Sequence, residues 1–486
     1  MFCCAAQNAN RKTKYRMESR IAEAPTAVSP EGEPLIVKLR RGFDVHLYGE
    51  APKKVPSEVS VNRFAVQAPN YLGLAPMPKL MVEVGQHVLA GEALFFDKSR
   101  PEVHFVAPVS GELIAINRGE RRAIQELVIL ADKAIQYRTY DKIPSLDASR
   151  EELVAFLKDS GALTLFRQRP YNLLADPEVV PRDIFVSTFD TAPLAPDLNL
   201  VVSGREAAFQ KGLDVLGKLT TGKVYLGLDA RSNAVSSAFS QARGVQKVGF
   251  KGKHPAGNVG VQIHHIRPVR SKEKVWTLGV QEVITLGTLF LEGKYDASRI
   301  VALTGSALEK PTYVSTYVGA NIGDLLKNQG VAENSRIISG DVLSGKTKTA
   351  EQFLDVYDDQ VSVIPEGNDY EMFGWLAPQS ARPSTSRTFF SGIFPFGWIY
   401  NATTNTRGEK RAFVVTGQYE EVLPMDIYPQ HLLKAIITND IEKIEGLGIH
   451  EVVEEDLALC EFACTSKQPL QKILREGIDM MIKEGL

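Results

Sequence analysis

The residues best equipped for chemistry fall in one short run, LFRQRPYN, from Leu165 to Asn172. Phe166 and Tyr171 bring ring faces, and Arg167 and Arg169 bring guanidinium groups. Rings and guanidinium groups together can sandwich and polarise a planar carbonyl ligand such as a quinone. The same mixture also builds salt-bridged domain interfaces, and both readings stay open at this stage. A second run, NYLGLAPMPKLMVEVG from Asn70 to Gly85, offers Tyr71, Leu72 and two methionines as a candidate apolar groove. The quinone-binding candidates are therefore Tyr71, Phe166, Arg167, Arg169 and Tyr171. No Ser/His/Asp, Cys/His or paired-carboxylate spacing marks a catalytic centre, so no catalytic residue is assigned.

Three other groups invite chemistry. The glycine-rich segment GFKGKHPAGNVGVQIHH runs from Gly249 to His265 and matches no nucleotide fingerprint. Gly257 and Gly260 could let backbone approach a ligand, with Lys251 and Lys253 near a phosphate, or they could simply make a turn. His254, His264 and His265 suggest a metal. Adjacent histidines on a strand point to opposite faces, however, and no carboxylate or cysteine nearby completes a ligand set, so no metal is assigned. Cys460 and Cys464 share one face of an expected helix. Two thiols fall short of the four ligands of a structural zinc or an iron–sulfur cluster, and the only other cysteines, Cys3 and Cys4, are remote, so the pair is read as buried free thiols.

Lys98 raises a separate question. The stretches VEVGQHVLAGEALFFDK (Val82 to Lys98) and FVAPVSGELIAINRGERRAIQELVIL (Phe105 to Leu130) look like the small β module that carries biotin or lipoate on a lysine. Gly85 and Gly91 permit its tight turns, and Gly111 lets the chain bend after Pro108. A carrier needs its lysine at a hairpin apex. The apex is expected near Arg100-Pro101-Glu102, with Lys98 earlier on the rising strand and without methionine neighbours. The module's shape is kept and the attachment point is missing.

These groups must be positioned by several domains, which 486 residues are long enough to form. Hydrophobic content of 44% and charged content of 23% are those of an ordinary globular protein. With 56 basic against 58 acidic residues, the net charge of −2 gives no footprint for nucleic acid. No run approaches the ~20 apolar residues of a spanning helix. The best candidate, FFSGIFPFGWIY from Phe389 to Tyr400, is short and interrupted, and reads as core or as an apolar contact to a membrane partner. The first residues lack the apolar stretch of a signal peptide, and Met17 is a candidate start.

The fold class is α/β, multidomain. Residues 1–34 read as a disordered extension, and 35–140 as a biotinyl/lipoyl-like barrel-sandwich module. Residues 141–303 read as a Rossmann-like domain, since helices alternate with strands as in a parallel sheet. Ser149 with Glu152 forms a capping-box pattern before Leu153, Phe156 and Leu157. Phe209, Leu213, Leu216 and Leu219 recur at helical spacing. Residues 304–370 suggest a β-grasp-like module with a following β segment, and 371–486 a C-terminal region, β then helical.

Eight segments in order carry a family resemblance: FVAPVSGELIAINRGERRAIQELVI, FRQRPYN, IFVSTFDTAPLAPD, GLDVLGKLTTGKVY, HPAGNVGVQIHH, RIISGDVLSG, QVSVIPEGNDYEMFGW and EEDLALCEFAC. From Leu35 to the C-terminus the chain resembles the A subunit of the bacterial Na+-translocating NADH:quinone reductase. The resemblance implies a six-subunit membrane complex that passes electrons from NADH through flavins and iron centres to quinone and expels Na+. It implies a peripheral subunit on the cytoplasmic side of the inner membrane, at the quinone-reducing end. Its partners would be five other subunits, chiefly the membrane-embedded B subunit, together with quinone. The implied fold is a cousin of the flavin- and NADH-binding subunit of respiratory complex I. That relative's flavin loop corresponds to KHPAGNVG, where Pro255 removes a donor, and its cluster cysteines are reduced here to Cys460 and Cys464. No cofactor is therefore expected on this subunit. The competing readings are a soluble electron-transfer subunit of an Rnf-like or complex I-like assembly with its own flavin or cluster, and a carrier module.

Overall fold

Short strands broken by glycine and proline build the first module. The computed structural model describes residues 35–232, 234–368, 385, 393 and 398–485. Residues 1–34, with Cys3, Cys4 and Met17, lie outside the described residues, as does most of the run from 389 to 400. Ile36–Leu486 forms one compact unit.

In the first module, a four-stranded sheet orders Arg63–Gln67, Ile124–Ala131, Gly111–Arg118 and His87–Val88. A three-stranded sheet faces it, ordered Lys79–Leu80, Ala93–Asp97 and Arg100–Val106. Phe95 and Phe105 stack in its core with centroids 4.7 Å apart. The hairpin register corrects the expectation for Lys98. Asp97 pairs with Arg100, so the turn is Lys98-Ser99 and Lys98 stands exposed at the apex. Pro101 had suggested the turn, but it lies in Arg100–Val106, the edge strand of its sheet, where a missing N–H costs nothing.

The helix Arg150–Asp159 opens the next domain. The Ser149 hydroxyl oxygen accepts from the Glu152 N–H at 3.2 Å, and Leu153, Phe156 and Leu157 are buried. Glu206–Leu219 likewise buries Phe209, Leu213, Leu216 and Leu219. A seven-stranded sheet runs in the order Leu35–Lys38, Gln246–Lys251, Val224–Asp229, Ile184–Ser187, Val275–Leu278, Arg167–Arg169 and Leu173–Leu174. The strands from Gln246–Lys251 to Val275–Leu278 are parallel, and Arg167–Arg169 adds antiparallel to Val275–Leu278. Chain order steps outward from Ile184–Ser187 on one side and then returns to Val275–Leu278 on the other. Such a reversal leaves a crevice at the carboxyl ends of the strands.

A six-stranded mixed sheet follows, ordered Lys346–Lys348, Ser335–Ser339, Gln360–Pro365, Ser298–Thr304, Thr312–Tyr317 and Ser57–Glu58. This moves two expected boundaries. Ser298–Thr304 had been read into the parallel sheet, but it pairs with Thr312–Tyr317 and Gln360–Pro365 instead. Leu35–Lys38 and Ser57–Glu58, read as part of the first module, serve the second and third sheets. Five helices between Gln418 and Lys483 complete the described chain, around Leu432, Leu433, Leu457, Leu474 and Ile478.

His264 and His265 were expected on a strand. They lie in the last turn of the helix Val259–Ile266, whose apolar residues at 259, 263 and 266 fit a helical face. His264 Nδ1 is 2.7 Å from Glu451, and His265 Nε2 is 2.6 Å from the carbonyl oxygen of Pro424. Both rings hold the C-terminal helices against the sheet.

Candidate functional site: an aromatic and an acidic cavity

The sheets and helices enclose a cavity of about 30 Å³ where the first module, the parallel-sheet domain and the six-stranded sheet meet. Its wall includes Tyr71, Asn70, Thr164, Tyr295, Arg299 and Tyr357. Tyr71 meets Phe105 edge-on at 4.8 Å and Tyr357 at 6.3 Å. The Tyr357 hydroxyl donates to the Thr164 carbonyl at 2.8 Å. Arg299 sits between Glu282 and Asp359, the latter 3.1 Å away. Burial pushes the Tyr71 phenol well up and that of Tyr295 to about 12, so both remain hydrogen-bond donors at neutral pH. A cavity of this volume takes water but not a quinone ring.

The five quinone candidates do not converge. Tyr71 is in the wall. The Arg167 guanidinium lies 5.1 Å over the Tyr357 ring, one side chain from the cavity. Phe166 is fully buried, edge-on to Trp276 at 5.3 Å. Arg169 is 2% exposed and bonded to Glu455 at 2.6 Å and to Asp456 at 3.3 Å. Tyr171 itself has φ +78° and packs in the core of the C-terminal helices. Its carbonyl faces the Arg475 guanidinium at 3.5 Å. The chemistry of Phe166, Arg169 and Tyr171 is spent on the fold. In the run from Asn70 to Gly85, Met77 and Met81 are exposed, and Asn70 and Tyr71 line the cavity.

A second cavity, of about 60 Å³, has Asp190, His254, Asn258, Asp341, Ser344 and Glu455 in its wall. Asp190 follows the strand Ile184–Ser187, and His254 follows Gln246–Lys251, so this cavity lies at the carboxyl ends of the parallel strands. Asp341 and Ser344 come from the loop after Ser335–Ser339, and Glu455 from the first turn of Glu454–Ala463. Asp190 is exposed at the mouth, whereas His254 is 4% exposed. Burial pushes the His254 imidazole down, which favours its neutral form. Its Nδ1 is 3.1 Å from the Thr191 hydroxyl, and its Nε2 has no partner among the described residues. Asp190, Asp341 and Glu455 were not singled out from sequence. They stand far apart along the chain, and no local spacing marks them.

The glycine-rich segment explains itself here. A side chain at Gly257 would meet the backbone of Asp190 and Thr191 at 2.7–3.0 Å, and one at Gly260 would meet the Asp456 carboxylate at 2.4 Å. These glycines make room for the protein's own chain. Cys460 and Cys464 are buried free thiols, and the Tyr419 hydroxyl donates to Cys464 Sγ at 2.9 Å. Burial pushes the Cys460 thiol up, away from thiolate chemistry. Among the described residues, no group of three or more His, Cys, Asp or Glu side chains is placed to hold a metal ion.

A barrel-sandwich module, an α/β domain and a further sheet, joined around two cavities, define a multi-module class of protein. Comparison with known families specifies it. An N-terminal barrel-sandwich hybrid domain of NqrA matches residues 37–132, its second α/β domain matches 148–295, and the NQRA C-terminal domain matches 300–350. A Saccharophagus degradans protein, the A subunit of Na(+)-translocating NADH-quinone reductase, is 39% identical over 93% of this chain and all of its own length. Its counterparts of the same name from Psychromonas ingrahamii and Serratia proteamaculans are each 38% identical over the same shares. The chain belongs to the NqrA family, the A subunits of the Na+-translocating NADH:quinone reductase. Among solved structures, an NAD+-reducing [NiFe]-hydrogenase in its air-oxidized state aligns at 12% identity and TM-score 0.33, over 72% of this chain and 67% of its own.

Proposed function

We propose that the chain is the peripheral component that works at the quinone-reducing end of a Na+-pumping NADH:quinone oxidoreductase. It sits on the cytoplasmic side of the membrane and docks on the membrane subunits, chiefly the B subunit, as one of six subunits. The α/β domain is Rossmann-like and the six-stranded sheet holds a β-grasp-like module, but neither serves a flavin or cluster of its own. The observation that carries the reading is end-to-end similarity to relatives named as the A subunit of that reductase. Two structural facts support it. No described helix is long and apolar enough to cross a membrane, so attachment runs through partners. The loop that a flavin would need is closed on its own backbone at Gly257.

Quinone, on this reading, is met by Tyr71 and Arg167 on either side of Tyr357. A cavity of about 30 Å³ must widen for that, as it would on docking against the membrane subunits. The tagged chain, drawn from its own membranes in mild detergent, should bring partner subunits and Na+-stimulated quinone reduction by NADH. Recovery of the chain alone from the soluble fraction would overturn the assignment. In the assembled complex, Arg167→Ala should raise the KM for quinone at least ~10-fold with NADH oxidation by the other subunits intact. Unchanged quinone kinetics would remove Arg167 from the site.

A further inference from the structure

We infer that the first module carries a lipid-contact surface, in which the arginines of one hairpin tip and the exposed methionines beside it meet anionic phospholipid headgroups of the membrane. The inference rests on the peripheral placement proposed above and adds a second, weaker contact to docking on partner subunits. The tip joins Gly111–Arg118 to Ile124–Ala131 and holds Arg118, Arg121 and Arg122, all exposed. The Ala123 N–H donates to the Glu120 carbonyl at 3.0 Å, so Arg121 and Arg122 are the central residues of a tight turn. Their φ angles are +52° and +63°. Turns with such a left-handed centre favour Asn-Gly, which adopts it at little cost. Two arginines there hold long cations out from the sheet at a conformational cost with no return inside the fold. Arg118 Nη1 donates to the Arg122 carbonyl at 3.1 Å, and among the described residues no carboxylate pairs with any of the three guanidinium groups. Arg138, Arg169, Arg182 and Arg299, by contrast, are each bonded to carboxylates.

The apolar half of the surface comes from the run Asn70 to Gly85. The Ile124 N–H donates to the Pro76 carbonyl at 3.2 Å, which lays Pro76 and Met77 against the base of the tip. The chain then enters the strand Lys79–Leu80. Pro78 and Val82 are buried and Leu80 half-buried, and Met77, Lys79 and Met81 alternate with them on the outer side. Met77 is 51% and Met81 47% exposed. Lys79–Leu80 is an edge strand, so the row is open along its flank as well. Flexible thioether chains flanked by guanidinium groups match an interface where phosphate lies above acyl chains. Arginine forks onto phosphate oxygens, and methionine enters the apolar layer beneath. In the runs 76–84 and 118–124, Lys79, Arg118, Arg121 and Arg122 stand against Glu83 and Glu120. The chain as a whole carries −2, so this positive surface is local and sets which face turns to an anionic bilayer.

The test is co-sedimentation of the purified full chain with vesicles of phosphatidylcholine containing about one-third phosphatidylglycerol, against vesicles of phosphatidylcholine alone. The chain should partition to the anionic vesicles at least ~10-fold more strongly, and ~0.5 M salt should release it. Arg121→Gly combined with Arg122→Gly removes two charges at positions where glycine is at ease, so that variant folds and should bind about 10-fold more weakly. Met77→Ser combined with Met81→Ser, both at the surface, should weaken binding about 3-fold at constant charge. Equal partition to the neutral vesicles, or full binding by the glycine variant, would overturn the surface. Full binding by the serine variant would overturn the lipid as its occupant and leave a site for another polyanion. The vesicles hold no partner subunit, so the result is separable from recovery of the complex. Partner recovery without vesicle binding would strike the lipid contact alone, and vesicle binding without partner recovery would strike the assignment and leave the surface.

Discussion

At the aromatic cavity, Arg299 lies between Glu282 and Asp359, and Tyr71, Tyr295 and Tyr357 line the space. At the acidic cavity, Asp190, Asp341 and Glu455 line one space with His254, and the Arg169 guanidinium engages Glu455 among them. Both lie where separate parts of the chain meet, and both draw on polar side chains that burial makes expensive. The difference is where charge is settled. The first cavity neutralises it inside the sheet and offers neutral donors. The second keeps three carboxylates in its wall, with Arg169 paired to Glu455 from the side.

Removing the Arg169 guanidinium from the acidic side should have the largest effect. Arg169→Ala leaves Asp456, which is fully buried, without its cation. Loss of one partner of a buried pair costs about 3–5 kcal/mol. Urea denaturation at pH 8 should show a loss of that order, and a loss under ~1 kcal/mol would mean that the pair is solvated. Quinone kinetics of any complex that assembles should be unchanged, because Arg169 is bonded to Glu455 and Asp456 and does not line the aromatic cavity.

A second variant in the same pair gives the comparison a pH axis. Burial raises the Asp456 carboxyl to about 6, outweighing Arg169 beside it, from an ordinary value of 3.8. A carboxyl whose folded pKa is raised contributes stability that is complete below its unfolded value and is lost as pH rises through the folded one. For Asp456 that window runs from 3.8 to about 6. Asp456→Asn removes the titrating group and should flatten that part of the stability profile, measured by denaturant midpoints between pH 4 and pH 7. A profile of unchanged slope would show that Asp456 is ionised throughout.

On the aromatic side the expected effects are smaller, since no charge is stranded. Tyr357→Phe removes the bond to the Thr164 carbonyl and keeps the ring under Arg167. It should cost about 1 kcal/mol, the usual net worth of such a bond. A cost above ~3 kcal/mol would mean that the hydroxyl serves further buried groups.

These contrasts show which parts of the molecule could be read in advance. Helices wrote themselves into local period: Phe209, Leu213, Leu216 and Leu219 were placed correctly, and so was the Ser149 cap. Cys460 and Cys464 were read as buried free thiols, which they are. What failed was non-local. Leu35–Lys38 and Ser57–Glu58 carry too few residues to reveal which sheet they join, because pairing is decided by partners hundreds of residues away. Alternating Val259, Val261 and Ile263 imitated a strand and misplaced His264 and His265. At LFRQRPYN the chemistry was visible, but its partners were not. Glu455 and Asp456, nearly 300 residues on, decide that Arg169 serves the interface reading. Asp190, Asp341 and Glu455 meet only because two strand ends and a helix start do.

Lys98 sets geometry against surroundings most sharply. Its place at the apex of Ala93–Asp97 and Arg100–Val106 satisfies the geometric requirement for a carrier lysine, so register no longer argues against one. Its surroundings do. A carrier hairpin must swing clear of its own protein, and this one is tied down. Glu102 lies 3.5 Å from Lys158, and His104 Nδ1 lies 3.2 Å from the Asp159 carbonyl oxygen, both on the helix Arg150–Asp159. The hairpin is therefore a strut between two modules. The intact mass of the chain from its own cells should show an unmodified Lys98, and Lys98→Arg should leave assembly and quinone reduction unaltered. A mass increase matching lipoate or biotin, lost in Lys98→Arg, would mean that the strut releases, and that a third region of this molecule does chemistry.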